Sequence, residues 1–280
     1  GARLPDGSAI AYLSADTRLF ATAERQDAHS YGAPGRRFKY SPTHDDVACC
    51  CTPNAVRLLP QLVSRMWLRL PGEPGIAAVA YGPCELRTTV AGVPIRIVEE
   101  TAYPFSDTVE LILEPERPVE LTLLLREPGW AGYMHVGVSG GEPVFQEGWC
   151  RIRRRWVAGD RVRIDFRPEV RAEPYANGEV AAMRGPLQFV LPLEHRLVSI
   201  RDYPLPGFHD YDVTPVDLAQ GYRIPLLDAA APELGLDFAG DAAAAGDRPW
   251  DASPLTLSGP GARLVPMGAT ILRRASFPIR

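Results

Sequence analysis

The feature that most constrains this chain is a run of short apolar segments between residues 76 and 193, each closed by glycine or proline. Segments 76–81, 85–90, 93–101, 109–114, 119–126, 133–138, 149–156 and 161–166 follow one another at roughly 8–12-residue spacing. Within 119–126, Leu121, Leu123 and Leu125 recur at every second position, the period of an extended chain with one buried face. Gly82-Pro83, Ala91-Gly92 and the proline-rich stretch 114–118 punctuate the series, and Val157-Ala158-Gly159-Asp160 is expected to close a hairpin. Residues 178–193 add two more apolar segments, split by Arg184-Gly185-Pro186. Many short strands with regular turns imply a mainly β protein built as a β-sandwich or jelly roll.

One helix is expected ahead of the strands. Thr52 suits the N-cap and Pro53 the first helical position, where a missing N–H costs nothing. Val56, Leu59, Leu62, Val63, Met66, Trp67 and Leu70 then recur at helical spacing, predicting a helix over 53–70 with one buried face. Pro60 falls inside it, at a typical cost of about 3 kcal/mol, so the helix breaks or kinks there. Residues 1–48 are short of apolar density, with a turn at 4–8, a short strand within 9–13 and polar loops at 32–39 and 41–46. Residues 201–260 are rich in proline, glycine, alanine and aspartate and read as loops with few strands; 255–257 and 269–274 are candidate closing strands. The chain divides on this reading at about residues 70 and 195, giving segments 1–70, 71–195 and 196–280.

Charge and composition narrow the function. Lys and Arg number 30 against 34 Asp and Glu, a formal net charge of −4, which provides no broad basic field for nucleic acid. The run Arg151-Ile152-Arg153-Arg154-Arg155 reads instead as the solvated face of a strand. No apolar run approaches the roughly 20 residues that span a bilayer, and no secretory leader opens the sequence, so no membrane partner is expected. Five cysteines, three of them consecutive, do not form the even, spaced pattern of a disulfide scaffold; a reducing, cytoplasmic setting is the economical reading.

Chemistry concentrates at Cys49-Cys50-Cys51, just before the expected helix. A helix amino terminus carries partial positive charge and favours thiolate, the form that attacks electrophiles and binds soft metals. Several readings stay open on the residues alone: buried capping cysteines, a vicinal disulfide, a zinc site or a nucleophile. Two adjacent ligands do not complete a tetrahedral zinc shell, and His44, Asp45 and Asp46 are the nearest further donors in sequence. Cys84 and Cys150 fall in strands and read as packing residues, and His29 and His44 as loop residues. Glu99 and Glu100 are strand neighbours pointing to opposite faces, a poor acid/base pair. Trp130, Trp149 and Trp156 read as sandwich core rather than a sugar platform. Neither a serine-centred nucleophile elbow nor a glycine-rich phosphate loop is found.

The order of several landmarks resembles one family. Cys50-Cys51-Thr52-Pro53-Asn54-Ala55-Val56-Arg57-Leu58-Leu59 is followed by Glu99-Glu100-Thr101-Ala102-Tyr103-Pro104 and Leu125-Arg126-Glu127-Pro128-Gly129-Trp130. Trp156-Val157-Ala158-Gly159-Asp160, Met183-Arg184-Gly185-Pro186-Leu187 and Leu264-Val265-Pro266-Met267-Gly268-Ala269 complete the set. Together these look like the carboxy-terminal part of the β-L-arabinofuranosidase family, glycoside hydrolase family 127 and its relatives. The resemblance implies an (α/α)6 catalytic barrel followed by β-sandwich domains, so residues 1–70 would be the end of such a barrel. It further implies Cys50 as nucleophile and zinc ligand, Cys51 as a second zinc ligand, a furanoside or oligosaccharide substrate, and a retaining mechanism. Thr52 stands where the family has a proline, and Cys49 is an additional thiol. Residues 1–48 hold no cysteine and a single glutamate, Glu24, outside any Glu-x-Cys arrangement, so the remaining zinc ligands and the acid/base are expected from an upstream barrel segment and the isolated chain is expected to be inactive. The rival reading is a non-catalytic β-sandwich module that binds carbohydrate or braces a partner domain.

Overall fold

A computed structural model describes residues 3–4, 6–11, 16–22, 39–43, 51–175, 178–222, 236–240, 255–259 and 262–279. They form two compact units, one of residues 57–169 and one that joins 1–56 to 170–280. The early part of the chain contributes β1 (Ile10–Ala11), β2 (Tyr40–Ser41) and the helix α1 (Cys51–Val63).

α1 departs from its expected course. It begins at Cys51, so Thr52 and Pro53 lie in its first turn, and it ends at Val63 rather than near Leu70. Pro60 is accommodated within it, and the N–H of Ser64 bonds the carbonyl of Pro60 at 3.0 Å. Tighter bonds from Arg65 to Leu62 and from Met66 to Val63 then close the last turn. Trp67 leaves the helix because strand pairing takes it: β3 (Trp67–Arg69) lies antiparallel to β4 (Gly75–Ala78), with Trp67 opposite Ala78. The expected buried face is not formed. Val56, Leu58, Leu59, Leu62 and Val63 are each more than half exposed, with Leu58 at 64% and Leu59 at 65%.

The 57–169 unit continues with β5 (Cys84–Val90), β6 (Val93–Glu100), β7 (Thr108–Pro115), β8 (Val119–Arg126), β9 (Met134–Val138), β10 (Val144–Gln146), β11 (Trp149–Trp156) and β12 (Asp160–Phe166). Two five-stranded sheets result, ordered β10-β11-β8-β4-β3 and β5-β6-β7-β12-β9. Their inward residues share one core: Ile76, Leu121, Leu123, Ile152 and Trp156 from the first, Ile95, Ile97, Leu111, Leu113, Val162 and Ile164 from the second. Period-two alternation makes this possible, as in β6, where Val93, Ile95, Ile97 and Glu99 turn inward and Pro94 and Glu100 outward. The arrangement is a β-sandwich. β4 runs parallel to β8. Gly75 fits there because a Cβ at this position would sit 2.7 Å from the carbonyl oxygen of Thr122.

The Ala91-Gly92 turn closes the β5–β6 hairpin, both residues having positive φ, the geometry that follows strand twist in a two-residue loop. The turn at 157–160 behaves differently from the hairpin expected of it. β11 pairs with β8 and β10 while β12 pairs with β7 and β9, so this turn carries the chain from one sheet to the other. Both flanking strands point apolar residues into the same core, which two hairpin-paired neighbours in one sheet would not need to bridge. Asp160 fastens the crossing, its Oδ2 accepting from the Val157 N–H at 2.8 Å and from Arg154 at 3.1 Å.

The other unit adds β13 (Val170–Pro174), β14 (Val180–Arg184), β15 (Leu187–Pro192), β16 (His195–Asp202), β17 (His209–Pro215), β18 (Asp237–Ala239), β19 (Thr256–Gly259), β20 (Ala262–Pro266) and β21 (Arg273–Arg274). One sheet is ordered β1-β2-β17-β16; the other runs β13-β14-β15-β20-β19-β18, with β21 also pairing β15. β17 lies within 201–260, expected to be mostly loop, and β16 occupies a stretch for which no strand was expected. The mainly β fold class is as expected.

Candidate functional site

The sequence-predicted nucleophile and zinc ligand Cys50 lies outside the described residues, as do Cys49, His29, His44, Asp45 and Asp46. Cys51 opens α1, but its side chain falls outside them too. Among the described residues, no group of three or more His, Cys, Asp or Glu is placed to hold a metal ion, and no helix is long and apolar enough to cross a membrane.

The most perturbed titratable groups that the structure brings together lie at one end of the sandwich. The β5–β6 register sets Cys84 opposite Glu99. Glu99 continues the inward stripe of β6 and is 2% exposed. Its Oε1 accepts from the Gly82 N–H at 2.8 Å, and its Oε2 lies 3.5 Å from Cys84 Sγ. The indole N–H of Trp67 in turn points to Cys84 Sγ at 3.4 Å. Burial raises the Glu99 carboxyl to about 7 despite these donors. Burial also pushes the Cys84 thiol up to about 11, and the neighbouring carboxyl adds to the rise.

An aromatic group closes the same end. Tyr81 donates its hydroxyl to the Arg126 carbonyl at 2.7 Å and meets Phe166 edge-on at 5.3 Å between ring centroids. Trp130 stacks on Tyr103 at 6.2 Å and 25° and meets Phe166 at 5.2 Å. Burial lifts the Tyr81 phenol well above its ordinary range and that of Tyr103 to about 12, so both stay protonated donors. Trp130 and Tyr103 are therefore engaged with each other and with the core, and Trp156 is fully buried with its N–H on the Leu121 carbonyl at 3.2 Å. These tryptophans pack, as expected.

Chemically, Glu99 exchanges a proton near neutrality, whereas Cys84 stays a thiol and is no nucleophile. With 2% of its surface exposed, Glu99 holds the turn at Gly82 rather than meeting a substrate. Two arginines of the run are tied down, Arg151 to Glu73 at 2.6 Å and Arg154 to Asp160, while Arg153 and Arg155 are exposed.

A second polar cluster sits in the unit of 1–56 and 170–280. Lys39 Nζ bonds Asp210 Oδ2 at 2.6 Å with both side chains buried, and Tyr203 donates to Asp210 Oδ1 at 2.9 Å. Burial opposes ionisation of Asp210, but the bonds from Lys39, Ser41 and Tyr203 outweigh it and hold the carboxyl below its usual range. Sequence reasoning weighed Cys84 and Glu99 separately without joining them, and passed over Lys39 and Asp210. The first cluster was readable from the hairpin: a two-residue turn at Ala91-Gly92 sets 90 opposite 93 and hence 84 opposite 99.

Residues 75–167 match the sequence model of the β-L-arabinofuranosidase GH127 middle domain. A comparison with curated proteins yields no match. By structure, the chain resembles a GH127 β-L-arabinofuranosidase from Geobacillus stearothermophilus T6, with TM-score 0.58 and 20% identity, covering 100% of this chain and 44% of that one. Another GH127 β-arabinofuranosidase gives 0.58 and 17% over 100% of this chain and 43% of its own, and a further glycoside hydrolase gives 0.58 and 18% over 99% and 46%. The chain thus spans less than half the length of these solved structures. Residues 75–167 are thus similar in sequence to the GH127 middle domain, and over its whole length the chain resembles the GH127 β-L-arabinofuranosidase structures in fold.

Proposed function

We propose that this chain supplies the carboxy-terminal portion of a retaining glycoside hydrolase acting on β-L-arabinofuranosides or related furanosides, with Cys50 as its nucleophile. The observation that carries the reading is the GH127 middle-domain match over residues 75–167, directly following a helix that opens at Cys51. Cys50 immediately precedes α1, whose first N–H groups lack helical partners and favour a thiolate nearby. In this reading the Cys50 thiolate attacks the anomeric carbon as the glycosidic C–O bond breaks, and the leaving oxygen takes a proton from a carboxylic acid. Water then attacks the same carbon from the opposite side, giving its proton to the carboxylate left by the first step, the C–S electrons return to sulfur, and two inversions give retention.

Cys50 and Cys51 would hold zinc, which when bound supplies the positive charge that keeps the thiols ionised. A tetrahedral site needs four donors, and among the described residues no group of three or more His, Cys, Asp or Glu is placed to hold a metal ion. The other donors and the acid would come from an (α/α)6 barrel region of which residues 1–70 would form the last part; the uncovered apolar residues of α1 support that reading.

The test assays p-nitrophenyl β-L-arabinofuranoside hydrolysis by the 280-residue chain and by the product of the complete reading frame that encodes it. Hydrolysis by the latter, abolished in Cys50→Ser, is the expected result. Turnover that survives Cys50→Ser, or none from either protein, overturns the proposal.

A further inference from the structure

Where β15 gives way to β16, the unit of 1–56 and 170–280 holds a cleft of about 570 Å3. Leu193 and Val265 lie in its wall with Glu194, His195, Gln220 and Arg263 around them. Alternation along β20 places Arg263 and Val265 on one face while Leu264 turns into the core. The apolar part is held by the ladders: Leu193 donates its N–H to Leu272 at 2.9 Å, and Val265 sits opposite Val190. His195 Nδ1 lies 2.9 Å from the Leu193 carbonyl oxygen. A carbonyl only accepts, so Nδ1 carries the proton and Nε2 of the neutral ring is an acceptor. Among the described residues, no side-chain hydrogen bond or ion pair engages Glu194, Gln220 or Arg263.

We propose that this cleft binds a neutral carbohydrate. Its volume falls within the roughly 300–1,000 Å3 of small-molecule sites, and such sites combine an apolar wall with a few placed polar groups. A carboxylate and a guanidinium that share a cleft without pairing give it no net preference for an anion or a cation. They offer instead an acceptor of two O–H groups and a fork of N–H donors, the complement of a vicinal diol. Gln220 donates and accepts, and His195 Nε2 accepts a further hydroxyl. The C–H face of the ring covers Val265, with Pro192 and Ala269 beside it, while Leu193 backs the wall from the core. The choice of a furanoside as first probe rests on the function proposed above; the cleft itself does not.

The test is calorimetric titration of the 280-residue chain with methyl β-L-arabinofuranoside, methyl β-D-galactopyranoside and sodium phosphate. Saturable binding of the arabinoside is expected, weakened about tenfold or more in Arg263→Ala and in Glu194→Gln, the loss typical of one hydrogen bond to a charged group. Both variants should unfold in urea at the wild-type midpoint, and Cys50→Ser should bind as wild type does. Binding of the galactoside alone upholds the carbohydrate cleft and counts against the furanoside reading. Three results overturn the proposal: no saturable binding of either sugar, phosphate bound in their place, or sugar binding unmoved in both cleft variants.

Discussion

Glu99 couples the sandwich to pH. Its folded carboxyl titrates at about 7 against an ordinary value of 4.5, so the native state holds a proton that the unfolded chain gives up earlier. Below about pH 4.5 both states are neutral at this residue and it exerts no pH effect. Between about 4.5 and 7 the unfolded state ionises first and stability falls, and above 7 the loss is complete, on the order of 3 kcal/mol. Glu99→Gln keeps the size and the acceptor for Gly82 but cannot ionise. Urea unfolding followed by tryptophan fluorescence at pH 5 and pH 8 should show this difference shrink in the variant by about that amount; an unchanged pH profile would discard the assignment. Asp210 has the opposite sign. Its carboxyl is held low, so the stability it contributes is present above about pH 4 and is lost as pH falls through the folded value. Lys39→Met leaves that carboxylate buried without its countercharge and should cost about 3–5 kcal/mol. Adding Asp210→Leu should recover part of the loss, and a single-variant cost below about 1 kcal/mol would mean that water reaches the pair.

At the level of elements, legibility followed alternation. Most strands from 76 to 166 were readable because they carry a buried apolar face, and β8 occupies the residues expected of it, whereas β10, exposed at all three positions, was not expected. β16 was not, since His195–Asp202 is exposed or half-exposed at every position and has no period-two signal. β17 was hidden for another reason: Asp210 turns inward, which sequence reasoning treats as a loop signal, and Lys39, far away in the chain, makes its burial tolerable. The helix starts two residues earlier than expected and was extended too far, because Met66, Trp67 and Leu70 fit a 3.6-residue period as well as they fit the strand and turn they form. Whether the period continues is decided by pairing with β4, not by local preference. The same uncovered stripe gives a prediction. Leu59→Gln on α1 should change the stability of the 280-residue chain by less than about 0.5 kcal/mol. Leu123→Ala in the shared sandwich core should cost about 2–5 kcal/mol. Comparable losses in both, by urea denaturation, would show that the α1 stripe is covered in solution.

For the molecule as a whole, ordered motifs carried the architecture further than any single residue did. The landmarks from Glu99 to Asp160 fall within the span that matches the GH127 middle domain. The site was less legible, because in the proposed reading the cysteine motif would supply two donors and a four-donor shell needs residues whose position no spacing in this chain reveals. Metal and fold are accordingly separable. The described strands are held by ladders and apolar cores, with no metal-binding group among the described residues. Treatment of the 280-residue chain with a chelator should therefore leave its far-UV circular dichroism and unfolding midpoint unchanged. Two thiolates bind zinc far less tightly than a closed tetrahedral set, so the zinc carried by this chain should be substoichiometric and yield to a mild chelator. It should fall further in Cys50→Ser and in Cys51→Ser, measured as metal per chain by elemental mass spectrometry. Stoichiometric, chelator-resistant zinc that both variants lose would instead close the site within this chain, and the remaining two donors would then have to be sought among its other residues.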